Sequence, residues 1–143
     1  MSDLVVIDTN VLVSAIRSSQ GSSFSLLQKT GSGLFDIALS VPLVLEYEEA
    51  TKRLDRALRP NFAVIDDIID YLCLVGIKTF QAYYLWRPCL KDPKDDHVLE
   101  LAVTSRAAFI ITYNKRDFAG VERFGIPLLN PYEYLKRLER IHE

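Results

Sequence analysis

Cysteine and histidine are almost missing from this chain, with two of each among its 143 residues. Cys73 and Cys89 stand far apart, and neither pairs with a histidine at metal-ligand spacing. They point to two reduced, partly buried thiols rather than to a disulfide framework or a zinc site. His97 and His142 are too few and too distant for zinc or for a Ser–His catalytic arrangement. Long apolar runs are missing as well: none approaches the roughly 20 residues needed to cross a bilayer. Met1-Ser2-Asp3 carries no basic leader, and the apolar segment after it is too short for a signal peptide. A cytoplasmic protein with no membrane association is the expectation. Basic charge is not in excess either, with 17 Lys and Arg against 19 Asp and Glu and a formal net charge of −2. A simple electrostatic binder of nucleic acid would be basic, so such a ligand would need a local source of positive charge.

What is present suits a single compact domain spanning 1–143. Hydrophobic residues make up 49% and charged residues 25%, an ordinary globular balance. Leu4 to Ile7 is continuously apolar and β-branched, the pattern of a strand buried on both faces. Helices are expected over Val11–Ile16 and Phe24–Thr30, with a Ser/Gly/Gln loop between them, and a second strand over Phe35–Leu39. Ser40-Val41-Pro42 opens a helix in which Leu43, Tyr47, Ala50, Leu54 and Ala57 recur at helical spacing, and Pro60 ends it. Asn61–Leu74 reads as a helix, Gly76–Phe80 as a strand and 81–91 as a loop. Asp92-Pro93 opens a helix running to about Arg106. Strands at Phe109–Thr112 and Ile126–Leu129 and a helix over Pro131–Ile141 complete the chain. There is no internal repeat and no interdomain linker. Strands alternating with helices predict a three-layer α/β/α sandwich around a mainly parallel sheet of four to five strands.

In open parallel sheets the working site lies beyond the carboxyl ends of the strands. Asp8 follows the first strand directly, where it is either a helix N-cap or a site residue. At about 100° per residue, Glu46 lies at the rim of the apolar stripe of its helix, while Glu48 and Glu49 point away from it. Those two precede Lys52 and Arg53 by four positions, the favourable order for surface pairs. Asp92 and Asp95 suit a cap and a capping-box partner. Asp96 is needed for neither; Leu99 and Val103 place it over the buried face, so it is the inward candidate. Asp117 follows the fourth strand by a short turn. Converging carboxylates repel one another unless a cation joins them. Mg²⁺ and Mn²⁺ prefer such oxygen ligands, can activate water and can stabilise the leaving oxygen of a phosphodiester. An ion of this kind would also supply the positive charge that the composition lacks.

Four segments in this order resemble the PIN-domain nucleases, specifically the toxins of bacterial and archaeal toxin–antitoxin pairs. They are Val5-Val6-Ile7-Asp8-Thr9-Asn10-Val11-Leu12, Val44-Leu45-Glu46-Tyr47, Asp92 to Ala102 with Asp96 at the acidic position, and Ile110 to Phe118. Each is weak alone; the four together, over nearly the whole chain, are specific. The resemblance implies metal binding by Asp8, Glu46 and Asp96, with Asn10 assisting. Some relatives carry Asp where this chain has Asn114, so the fourth position falls to Asp117 or is shared with Asn114. It further implies Mg²⁺- or Mn²⁺-dependent endonucleolytic hydrolysis of single-stranded or loop RNA, a homodimer, and inhibition by a small cognate antitoxin.

Arg17, Lys115 and Arg116 stand near the expected mouth, where they hold phosphates or form ordinary solvated surface. Tyr83, Tyr84, Trp86 and Arg87 offer base stacking, packing or a subunit contact. Two rival functions follow from the same residues. A haloacid-dehalogenase-type phosphatase would place a second Asp two positions after Asp8, but Asn10 stands there. A PIN-like scaffold would bind RNA or an antitoxin without cutting, though it gains nothing from mutually repelling carboxylates.

Overall fold

The computed structural model describes residues 2–58, 62–79, 95–119 and 121–141, with backbone alone at 55–58, 62, 122 and 123. The expectations for Pro60, Phe80, the 81–91 loop with its aromatic cluster, the Asp92-Pro93 helix start and His142 lie outside the described residues. Among the described residues five strands form one sheet: β1 (Asp3–Ile7), β2 (Phe35–Leu39), β3 (Ile77–Lys78), β4 (Phe109–Ile111) and β5 (Leu128–Leu129). All neighbours run parallel in the order β3-β2-β1-β4-β5. Six helices among the described residues flank it: α1 (Thr9–Arg17), α2 (Ser22–Lys29), α3 (Val41–Leu58), α4 (Phe62–Val75), α5 (Asp96–Ser105) and α6 (Pro131–Ile141). The expected α/β class is what the chain adopts.

Val5, Val6, Ile110 and Ile111 are fully buried, as two-sided cover of the middle strands demands. α5 packs across β1, β2 and β4, α4 on β2 and α6 on β5, while α1 packs against α2 and α3. Leu43 and Tyr47 bring the apolar face of α3 into the core. Ser40 starts that helix, its Oγ accepting from Leu43 N at 3.3 Å. Gly76 makes the turn from α4 into β3 possible, since a Cβ there would collide with Leu39 Cδ1. At the other end of the sheet, Arg137 Nε and Tyr134 Oη both donate to Asp3 Oδ2 at 3.0 Å. The Arg137 guanidinium also lies over the Phe109 ring, so α6 is fastened to the start of β1 and to β4.

One start differs from expectation. α1 begins at Thr9 rather than Val11, because the Asp8 side chain caps it directly. α5 is described from Asp96, and Asp95 ahead of it has helical backbone without a side-chain cap bond. Asp92, the other half of the expected capping pair, lies outside the described residues. α6 has the box that the sequence reading did not identify: Glu133 N donates to Asn130 Oδ1 and Asn130 N donates to Glu133 Oε1, both at 2.8 Å.

Candidate active site

The chain starts in the middle of the sheet, moves out through β2 and β3, then returns to add β4 and β5 on the other side. The reversal falls between β1 and β4, and the crevice beyond the carboxyl ends of those strands is where such sheets bind ligands. Asp8 and Thr112 are the residues that follow those two strands. Asp8 N donates to Ile111 O at 2.9 Å. Asp8 Oδ1 accepts from Thr9 N at 2.9 Å, and Oδ2 accepts from Thr112 Oγ at 2.8 Å and Asn10 Nδ2 at 3.1 Å. Asn10 Oδ1 in turn accepts from Tyr113 N at 3.3 Å, and Thr112 Oγ from Asn114 N at 3.0 Å. Asp8 is thus both a helix cap and the centre of a polar knot at the strand ends.

Asp8 is 6% exposed. Burial raises its carboxyl pKa above the ordinary 3.8; the Thr112 and Thr9 hydrogen bonds oppose that rise, Glu46 adds to it and His97 reduces it. The site therefore carries negative charge that its own hydrogen bonds do not fully relieve. Glu46 faces this region because α3 starts just past β2 and Tyr47 anchors it, the Tyr47 hydroxyl donating to the Ile7 carbonyl. That bond ties the turn carrying Glu46 to the residue immediately before Asp8. Glu46 is partly exposed, and its Oε2 lies 2.7 Å from His97 Nε2. The other imidazole nitrogen, His97 Nδ1, is buried with no hydrogen-bond partner among the described residues.

A crossover helix between parallel strands runs back across the sheet, so the start of α5 lies at the same carboxyl edge. Asp96 is there, 1% exposed, and Glu100 is equally buried one turn later. Asp8, Glu46 and Asp96 thus come to one region of the molecule. Asn10 joins them directly through Asp8, and Asn114 at one remove through Thr112. Asp117 does not join them as closely. It sits in a 3₁₀ turn (Lys115–Phe118), its N–H donating to Asn114 O at 3.0 Å. With Asn114 it lines a separate depression that also takes Tyr113, Lys115, Arg116 and Asn130. Arg17 is exposed at the far end of α1, about 12 Å along the helix from Thr9 at 1.5 Å per residue, which removes it from the mouth.

Among the described residues, no three carboxylate, imidazole or thiolate groups stand close enough to hold a metal ion as placed. The donor chemistry nevertheless fits a hard divalent cation: Asp8 is a buried carboxylate whose charge is under-compensated, and Glu46 is near enough to bear on it. An ion shared with Asp8 requires Glu46 to leave the His97 imidazole or to share it. The sequence reading missed Tyr47 as an anchor, Thr112 as a partner of Asp8, His97 against Glu46, and Glu100. Only Glu100 had a legible signal: it stands four positions after Asp96, on the face that helix buries.

A protein-family search matches the PIN domain over residues 4–116, well over half of the chain. The chain belongs to the PIN domain family. That family has a nuclease-type fold and generally works with divalent metal ions such as Mg²⁺ or Mn²⁺. No curated protein matches the chain.

Proposed function

We propose that this protein is a Mg²⁺- or Mn²⁺-dependent endoribonuclease and the toxin of a toxin–antitoxin pair. The observation that carries the reading is Asp8: a carboxylate buried at the topological switch point, held by three donors, yet with its ionised form still disfavoured. A carboxylate kept there at such a cost suits a cation ligand better than a structural cap. Asp8, Glu46 and Asp96 are the residues that would hold the ion. When bound, it supplies positive charge for the phosphodiester and lowers the pKa of water towards neutrality.

The rest of the work belongs to the chain. Thr9, Asn10 and Thr112 fix both oxygens of Asp8, so its orientation is set before any ligand arrives. Tyr47 fixes the α3 turn that carries Glu46. Asp96 is fixed by its burial at the start of α5. Asn114 and Asp117, on the adjoining turn, flank this centre on the β4 side. Exposed Val41, Leu45, Leu74 and Ile77, beside a groove lined by Leu39, Val44 and Cys73, support an antitoxin or a second copy as a protein partner.

The test is incubation of the purified protein with a mixed RNA pool, with Mn²⁺ or Mg²⁺ and with EDTA. Cleavage that EDTA abolishes, and that Asp8→Asn and Asp96→Asn each lose while remaining folded, is the expected result. RNA binding without cleavage under any metal condition would instead favour a PIN scaffold.

A further inference from the structure

The separate depression past the end of β4 contains an aromatic ring that packing does not explain. Tyr113 follows Thr112 at the end of β4 and is 46% exposed, yet it is held at both ends. Its backbone N–H donates to Asn10 Oδ1 at 3.3 Å, and its hydroxyl lies 2.5 Å from Oγ of Ser23, itself 1% exposed. A tyrosine tethered by its backbone and its hydroxyl presents a ring of fixed orientation, with little rotamer entropy left to lose on contact. It is two hydrogen bonds from the Asp8 carboxylate, through Asn10. Around it are Asn114, Lys115, Arg116, Asp117 and Asn130. Two of these are already committed: Asn130 caps α6, and Lys115 Nζ lies 2.6 Å from Glu133 Oε1. Arg116 is exposed and has no ion pair among the described residues.

A rigid half-exposed ring beside an uncommitted guanidinium matches one ligand chemistry, an unpaired base with its adjoining phosphate. We infer that Tyr113 is a stacking platform for an unpaired base and that Arg116 contacts the neighbouring phosphate, so that single-stranded polynucleotide enters the Asp8 centre from the β4–β5 side. A duplex keeps its bases stacked on one another and offers none to the ring. The inference rests on the nuclease reading for its orientation, but binding measures it separately from cleavage.

The experiment is fluorescence anisotropy in EDTA at low salt, with labelled oligomers of about 12 nucleotides, within the span such grooves cover. Single-stranded RNA, single-stranded DNA of the same sequence and the RNA duplex are compared. The parent protein is expected to prefer either or both single strands over the duplex. Tyr113→Leu is expected to weaken single-strand binding about tenfold, within the range for a lost base–aromatic stack, and to leave duplex binding unaltered. Tyr113→Phe keeps the ring but loses the Ser23 tether and is expected to bind between the parent and Tyr113→Leu. Arg116→Ala is expected to weaken all three ligands and to reduce the slope of log K against log salt by about one. Thermal melts confirm that each variant is folded.

Equal single-strand binding by Tyr113→Leu and the parent, or no single-strand preference in the parent, overturns the inference. Cleavage is scored independently on the unlabelled RNA pool. A parent that cuts RNA but is insensitive to Tyr113→Leu loses the stacking platform and keeps the nuclease reading. A parent that shows the Tyr113 effect and never cuts loses the nuclease reading and keeps the platform.

Discussion

Asp8 meets two opposing demands. Three hydrogen bonds stabilise its ionised form, while burial and Glu46 disfavour it more strongly. A carboxyl whose folded pKa lies above its unfolded value binds more protons when folded, so stability falls as pH rises from the ordinary 3.8 through the raised value. Replacing Asp8 with Asn removes that cost and keeps an N-cap of equal quality. Asp8→Asn should melt at the same temperature as the parent or a few degrees higher at pH 7, a difference that closes near pH 4, while metal-dependent RNA cleavage is lost. A lower melting temperature at pH 7 would mark Asp8 as structural. Asp3 has the opposite sign. The Arg137 hydrogen bond holds its carboxyl below the usual range, so its contribution is present above that range and is lost as pH falls through the depressed value. Arg137→Ala should destabilise by about 1–2 kcal/mol at pH 7 after discounting for partial exposure, and by less near pH 3, as read by urea denaturation.

At the scale of the elements, two contacts decide where the site residues end up. Tyr47 joins α3 to the end of β1 through the Ile7 carbonyl. Tyr47→Phe leaves that buried carbonyl short of a donor and should cost about 1–2 kcal/mol in urea denaturation. The same variant should lower cleavage by loosening Glu46 relative to Asp8. α5 ends at Arg106 in the left-handed region, φ 59° and ψ 43°, where glycine avoids the Cβ strain. Arg106→Gly should stabilise by about 0.5–1 kcal/mol, and a loss of stability would show that the arginine side chain contributes there.

Most of these elements were legible in the sequence. Phe35–Leu39 and Pro131–Ile141 fall as read, because a buried β-branched or apolar run and an amphipathic helix each bury one continuous surface. The Glu48–Lys52 and Glu49–Arg53 pairs also form at 2.9 Å, since the i,i+4 rule is local. What stayed hidden is non-local: the Tyr47 anchor, the His97–Glu46 contact and the Thr112 bond join residues distant in sequence. Periodicity identified Tyr47 as core without indicating where its hydroxyl goes.

For the molecule as a whole, the order β3-β2-β1-β4-β5 turns scattered motifs into one region. Starting the chain mid-sheet places Asp8 beside the end of β4, and parallel crossovers bring the starts of α3 and α5 to the same edge. Acidic composition and the proposed phosphodiester chemistry are reconciled only if a cation joins these side chains, since the net charge of −2 repels a polyanion. The most direct measurement is an anomalous difference map from a crystal soaked in Mn²⁺. A peak within oxygen-ligand distance of Asp8, Glu46 and Asp96, missing from the Asp8→Asn variant, is the predicted result. A Mn²⁺ peak elsewhere, or none at these side chains, would contradict the account.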